Sequence, residues 1–242
     1  MSDTRRMLAE MADPLFAELG PQADKSDLAR LEELGLPLLL VSEEDGGFGG
    51  NHVDALTVFR LAGYHALGLP LVEQIIARRE VEGSDAHFRL GAFARTAQIA
   101  GALDAALAIS VAYVNERQQF GRPLAKFQAV QQDLATFACE AAAANCAAMG
   151  AAEALDRGDA AFEVAAAKLR ANSAASAGAR IAHQVHGAIG FTQEYPLHYL
   201  TGRLRKWRSE FGGDAHWGRV LGDLVVARGA DLFWPDLTAR TG

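Results

Sequence analysis

Cysteine is scarce in this 242-residue chain: Cys139 and Cys146 are the only two. They lie seven apart in a helical stretch, too far along the axis for a disulfide within that helix. They are expected as small buried apolar side chains in a reducing compartment. Basic residues are outnumbered, 23 against 30, for a net charge of −7. That balance excludes a generic nucleic-acid binder, which needs a basic face to displace counterions. It does not exclude an anionic small ligand, because a local arginine can hold one. Valine and threonine never build a sustained alternating run, so an all-β reading fails. No apolar stretch is read as long enough to span a bilayer, and no membrane association is expected. The opening Met-Ser-Asp-Thr-Arg-Arg carries no apolar h-region, so a cytoplasmic protein is expected. Gly-x-Ser-x-Gly and Cys-x-x-Cys are also missing.

Alanine is plentiful and comes in runs such as Ala141–Ala144 and Ala165–Ala167, which favour helix. Met1 to about Gly20 suits a helix. Ser26 or Asp27 could cap a second, through Leu28, Leu31 and Leu34, that stops at Gly35. Pro37–Ser42 is open between buried loop and strand. Val53–Leu67 and Leu71–Arg79 suit helices, and Arg78–Asp85 is a polar junction. Beyond it, Ile99, Ala102, Leu103, Ala106, Tyr113 and Val114 recur mostly at helical steps up to Phe120-Gly121-Arg122-Pro123. Phe127–Leu155, Ala160–His186 and about Ala215–Ala227 complete an antiparallel bundle. The fold class expected is all-α: an N-terminal helical domain over 1–80, a short junction over 81–87 and a four-helix bundle over 88–242.

Several patterns carry little chemistry. Glu43-Glu44-Asp45-Gly46-Gly47-Phe48-Gly49-Gly50 has glycines but no Lys-Ser/Thr after them, and its acids would repel phosphate; a tight turn suits it better. His183, His186 and His198 lack a further convergent ligand, so no metal is expected. Trp207, Trp217 and Trp234 are expected between helices or at a subunit interface.

The informative stretch is Asn115-Glu116-Arg117-Gln118-Gln119-Phe120-Gly121-Arg122-Pro123-Leu124-Ala125-Lys126-Phe127-Gln128-Ala129-Val130-Gln131. Arg117 stands in the last turn of a helix, where it could serve the helix C-terminus or fork onto a pyrophosphate; spacing alone does not choose. Arg-x-x-Phe-Gly-x-Pro-Leu-x-x-Phe-Gln-Ala-Val-Gln resembles the signature between the first two C-terminal bundle helices of acyl-CoA dehydrogenases. Gln184-Val185-His186-Gly187-Ala188-Ile189-Gly190-Phe191 is similar to that family's Gln-x-x-Gly-Gly-x-Gly-Phe segment. Leu34-Gly35-Leu36-Pro37 through Val41–Gly49 resembles a third landmark, and the three stand in the family's order.

The resemblance implies FAD as cofactor and an acyl-CoA as substrate. It implies that Arg117, Phe120 and Gln128 contact FAD across a dimer interface. The backbone of Gln184, Val185, His186, Gly187 and Ala188 would support the adenosine end of FAD, with Ala188 in place of the second glycine. It also implies two departures. The family's middle β-domain, which covers one flavin face, is missing between Arg79 and Phe88. The catalytic glutamate is missing too: its usual position falls at Phe211, and the alternative falls near Gly91. Glu210, one residue before Phe211, is the candidate base; its other reading is a solvated carboxylate among Arg205, Lys206 and Arg208.

Two functions follow. One is an acyl-CoA dehydrogenase-like flavoprotein subunit completed by a fuller partner subunit, in a homo- or hetero-oligomer. The other is a non-catalytic structural or interaction subunit of such a complex.

Overall fold

The computed structural model describes residues 3–240. The chain is helical nearly throughout. Four helices come first: α1 (Asp3–Leu19), α2 (Leu28–Glu33), α3 (His52–Tyr64) and α4 (Leu71–Arg79). Three long ones follow: α5 (Asp85–Glu116), α6 (Gln128–Arg157) and α7 (Ala161–His186). Three shorter ones close the chain: α8 (Leu197–Trp207), α9 (Asp214–Arg228) and α10 (Ala230–Arg240). Among the described residues the only sheet is a two-stranded hairpin, β1 (Gln118–Gln119) with β2 (Arg122–Pro123). The chain therefore consists of N-terminal helices and a C-terminal bundle, with no β-domain between them. The first two residues of the helix expected from Met1 lie outside the described residues.

Local chemistry explains the boundaries. Asn51 and Asp54 form a reciprocal capping box at the start of α3. Asp156, at the end of α6, adds bonds from the His52 and Val53 amides at 2.8 and 3.2 Å and so ties α6 to α3. Ser84 caps α5 by accepting from the His87 amide at 3.0 Å, so this helix begins inside the segment expected as a junction. Before α2 it is Asp24, rather than Ser26, whose side chain caps the preceding turn. Leu36–Leu38 form a 3-10 turn, and Leu36, Leu39 and Leu40 are buried, which makes the Pro37–Ser42 run a buried loop.

Two apolar clusters form the core. The first joins α1, α3 and α4 to the early half of α5, the late half of α6, the start of α7 and Trp217. The second joins the late half of α5 to the early half of α6, the late half of α7 and α8. Close approach of α3 and α5 requires glycine, because a methyl on Gly101 would overlap the Arg60 carbonyl and one on Gly63 the Gln98 carbonyl.

Three expectations change. Cys139 and Cys146 are exposed, on the outer face of α6. α5 and α6 are each long and apolar enough to cross a membrane; 61% of the apolar stretch of α5 is buried within the fold, against 28% for α6. Two helices, α8 and α10, were not expected. Trp207 and Trp217 pack inside as anticipated, whereas Trp234 on α10 is exposed.

Candidate functional site

The hairpin between α5 and α6 is a display device. Arg117 leaves α5 in extended geometry (φ −72°, ψ 123°), its amide still donating to the Tyr113 carbonyl at 2.8 Å. The hairpin pairs Gln118 with Pro123 and Gln119 with Arg122, so its two-residue loop is Phe120-Gly121. Both have positive φ, +51° and +77°, the geometry that matches strand twist in tight hairpins. Glycine adopts it freely, but a phenylalanine there is held at a cost of about 1–3 kcal/mol. The Phe120 ring is 90% exposed. Its one ring contact is the edge of Phe127 at 6.1 Å, and the Arg122 guanidinium lies 4.1 Å over that same ring. Gln128 is exposed at the first position of α6. Arg117 is exposed with no side-chain partner among the described residues. One free guanidinium, one presented ring and one free amide thus share a single turn.

A clamp that the sequence did not reveal ties this turn to the end of α7. Tyr113, one turn before Arg117, stacks on His186 at 4.5 Å and 24°. His186 donates from Nδ1 to the Ala182 carbonyl at 2.7 Å, which leaves Nε2 to accept from the Tyr195 hydroxyl at 3.2 Å. Burial pushes the His186 imidazole below the usual histidine range, so the neutral ring persists, and burial pushes the Tyr195 hydroxyl up. Val185 and His186 are buried, and the His186 carbonyl accepts from the Tyr113 hydroxyl at 3.4 Å. Gln184 and Ala188 are exposed, and Gly187 adopts φ 61°, ψ −140°, which a side chain would resist.

The turn after α8 is built differently. Glu210 Oε2 accepts from Nε of the buried Arg95 at 2.6 Å, and Oε1 lies 3.5 Å from Lys206. Arg95 also donates to Glu73 at 2.5 Å and to Gln98, and its guanidinium lies 5.9 Å from Trp207 and 5.8 Å from Phe211. Lys168, fully buried, donates to Asn172 at 2.7 Å and to the carbonyls of Trp207, Arg208 and Gly212 at 3.0–3.2 Å. Phe211 sits at φ +51° with its ring against Gly91, where any added methyl would overlap it. The two positions at which the family resemblance places a base therefore meet in space, as a phenylalanine ring on a glycine. Arg95 lies on α5 and Arg117 directly follows its last residue, so the two are about 33 Å apart at 1.5 Å per residue. Glu210 and the hairpin are at opposite ends of α5.

Residues 84–213 match the family described as acyl-CoA dehydrogenase, C-terminal domain. The chain belongs to the acyl-CoA dehydrogenase family. It is similar to the glutaryl-CoA dehydrogenase of Desulfococcus multivorans, 43% identical over 122 residues, which cover 49% of this chain and 30% of that relative. It is also similar to the acryloyl-CoA reductase (NADH) of Anaerotignum propionicum, 39% identical over 102 residues, or 42% of this chain and 26% of that relative. The matches thus span less than a third of these two relatives' length. In fold it is similar to a chain of the ChsE4-ChsE5 complex from Mycobacterium tuberculosis, with TM-score 0.81, 16% identity, and coverage of 92% of this chain and 97% of that one.

Proposed function

We propose that this chain is the cofactor-edge subunit of an FAD-dependent acyl-CoA dehydrogenase assembly, in which a fuller partner subunit supplies the β-domain and the catalytic base. The observation that carries this reading is the contact of Phe211 with Gly91: neither offers a carboxylate, and the ring fills the space one would need. Glu210 points elsewhere, engaged by Arg95 and Lys206 in an ion-paired cluster.

The hairpin fits one edge of a flavin nucleotide. Arg117 has a free fork for a pyrophosphate, Phe120 offers a flat apolar face, and Gln128 can donate or accept. These groups lie on an open surface far from the Glu210 turn, so they suit a cofactor seated chiefly in a neighbouring subunit. FAD, when bound, would accept the hydride that leaves the substrate β-carbon. The α-proton passes to a carboxylate of the partner, and the Cα–Cβ single bond becomes double. This chain's share is to hold the cofactor edge: Arg117 neutralises phosphate charge, Phe120 covers apolar surface, and the Tyr113–His186–Tyr195 clamp fixes the turn carrying both.

The outer face of α6 supports assembly. Ala135, Cys139, Ala142, Cys146 and Met149 are exposed at heptad spacing, and from Gln128 to Met149 no exposed residue of the helix is charged. Small uncharged residues in such a row suit close packing against another helix. A purely structural subunit is the second reading, and the free guanidinium of Arg117 is the observation against it.

The test is co-expression with a full-length acyl-CoA dehydrogenase subunit encoded nearby. The purified complex should be yellow, Arg117→Ala should lower its flavin occupancy, and Glu210→Gln should leave turnover unchanged. Dehydrogenation by the isolated chain that Glu210→Gln abolishes would overturn the proposal.

A further inference from the structure

Helix α6 keeps much of its apolar surface on the outside of the fold. One side of it, with Phe137, Ala141, Ala144, Ala148 and Ala151, is buried, and the helix packs on α5 and α7. The opposite side presents Gln132, Ala135, Cys139, Ala142, Cys146 and Met149, all exposed, in alternating steps of three and four residues. Gln128 and Glu153, also exposed, continue the same alternation at its two ends. That alternation keeps residues on one line along a helix and is the spacing of a helix–helix seam. From Gln128 to Glu153 the line is about 38 Å long at 1.5 Å per residue. Alanine and cysteine along it allow a second helix to approach to about 8 Å between axes.

The distribution of charge along the seam selects its occupant. Arg122 and Lys126 stand exposed just before it, whereas Glu153, Asp156 and Asp159 are exposed at its far end against Arg157 alone. Between the two ends the exposed residues are uncharged. A second copy laid parallel would set cations on cations and carboxylates on carboxylates. A copy turned end for end sets the basic end of each chain on the acidic end of the other, and it also opposes the two helix dipoles. The centre of the seam falls between Cys139 and Ala142. Rotation about that point brings Cys139 beside Ala142 of the other copy and Ala135 beside Cys146, so small residues face small residues. The face is therefore complementary to itself under a two-fold rotation, which is what an isologous interface requires.

We propose that two copies of this chain pair through the outer faces of α6, antiparallel, about a two-fold axis between Cys139 and Ala142. The pairing does not rest on flavin binding, because Arg117 and Phe120 lie in the hairpin before the helix and outside the seam. A complex with a fuller partner subunit then contains two copies of this chain.

Sedimentation equilibrium of the full-length chain at micromolar concentration, and of its complex where one forms, tests it: two copies are expected in each. Ala142→Glu should abolish the pairing with helicity unchanged, since the position is exposed and the axis sets the two carboxylates close together. Lys126→Glu should weaken it by about tenfold, because the axis counts each lost attraction twice, and Glu153→Lys in the same chain should restore it. Oxidation of Ala135→Cys, made together with Cys139→Ser, should join the new thiol to Cys146 of the other copy, as read by peptide mapping. Arg117→Ala should leave the pairing intact, so a failure of the flavin reading and a failure of this one are distinguishable. A single copy in both samples, pairing that survives Ala142→Glu, a link from Cys146 to Cys146, or an Ala142→Glu variant that sheds the partner subunit and stays paired would each overturn the proposal.

Discussion

Replacing Arg95 by methionine should be one of the costliest single changes in this chain, and its cost can be worked from the contacts. The Arg95 side chain is only 5% exposed and holds Glu210 and Glu73 at once. The Glu73 carboxylate is 47% exposed, so water replaces most of that arm and it counts for under about 1 kcal/mol. The Glu210 arm is drier, with its carboxylate 26% exposed, and Gln98 is buried beside it. Removing one member of a buried pair costs about 3–5 kcal/mol, because the other charge is left without compensation. Methionine returns some packing against Trp207 and Phe211, which brings the expectation to about 3 kcal/mol. For a chain of this size each kcal/mol lowers Tm by about 2–4 °C, so a fall of about 6–12 °C should follow. Urea unfolding read by circular dichroism and by tryptophan emission is the assay, since Trp207 lies beside the guanidinium. Glu210→Gln in the same background should recover about 2 kcal/mol of coupling in a double-mutant cycle. A loss below about 1 kcal/mol, or additive single effects, would refute the view that Glu210 serves chiefly as the partner of Arg95.

Two further outcomes are expected. Burial pushes Lys168 down to about 8 from 10.5, with Asp214 opposing; the folded chain then holds fewer protons than the unfolded chain between those values, and stability rises with pH across that window. Wild type minus Lys168→Met should gain about 3 kcal/mol in unfolding free energy from pH 8 to 10.5, and a flat or falling difference would mean that the carbonyls hold the ammonium more strongly than burial disfavours it. Gly91→Ala should cost about 1–3 kcal/mol by pressing on the Phe211 ring, and Phe211→Leu in the same chain should return most of it; thermal melts that show no loss for Gly91→Ala would contradict the contact.

The long helices were legible because punctuation marks them, whereas the strand pairing at the turn after α5 was not read. Gly121 and Pro123 mark the break after α5, although that helix already stops at Glu116, and Gly158 ends α6; these signals are local. Helix α8 was also written in the chain, as Leu197, Leu200, Leu204 and Trp207 at three- and four-residue steps, but Gly202 and the neighbouring arginines and lysine obscured it. Helix α10 has no such stripe, because Leu232, Phe233 and Trp234 run consecutively and Pro235 follows. The exposure of Cys139 and Cys146 could not be read because α6 carries alanine on every face: Ala141, Ala144 and Ala148 are buried, while Ala135 and Ala142 are not. Periodicity cannot separate inside from outside when one residue type supplies both. The Arg95–Glu210 pair joins positions 115 apart, and nothing in local spacing announces it.

That pair also decides how the two ends of α5 divide the work. A residue that touches a cofactor must stay open to it, and the hairpin end is open: Phe120 is exposed, and Arg117 and Gln128 are exposed with no side-chain partner among the described residues. A turn that held a working base would need a carboxylate facing a vacant space, since a general base must come within hydrogen-bond reach of the proton it removes. The opposite end has the reverse character. Glu210 is clasped by Arg95, the carbonyls of the turn are gathered by Lys168, and the central position is filled by the Phe211 ring against Gly91. On the function proposed above, the open hairpin end is the surface offered to a partner, and the Phe211–Gly91 contact is the reason the base is assigned to that partner.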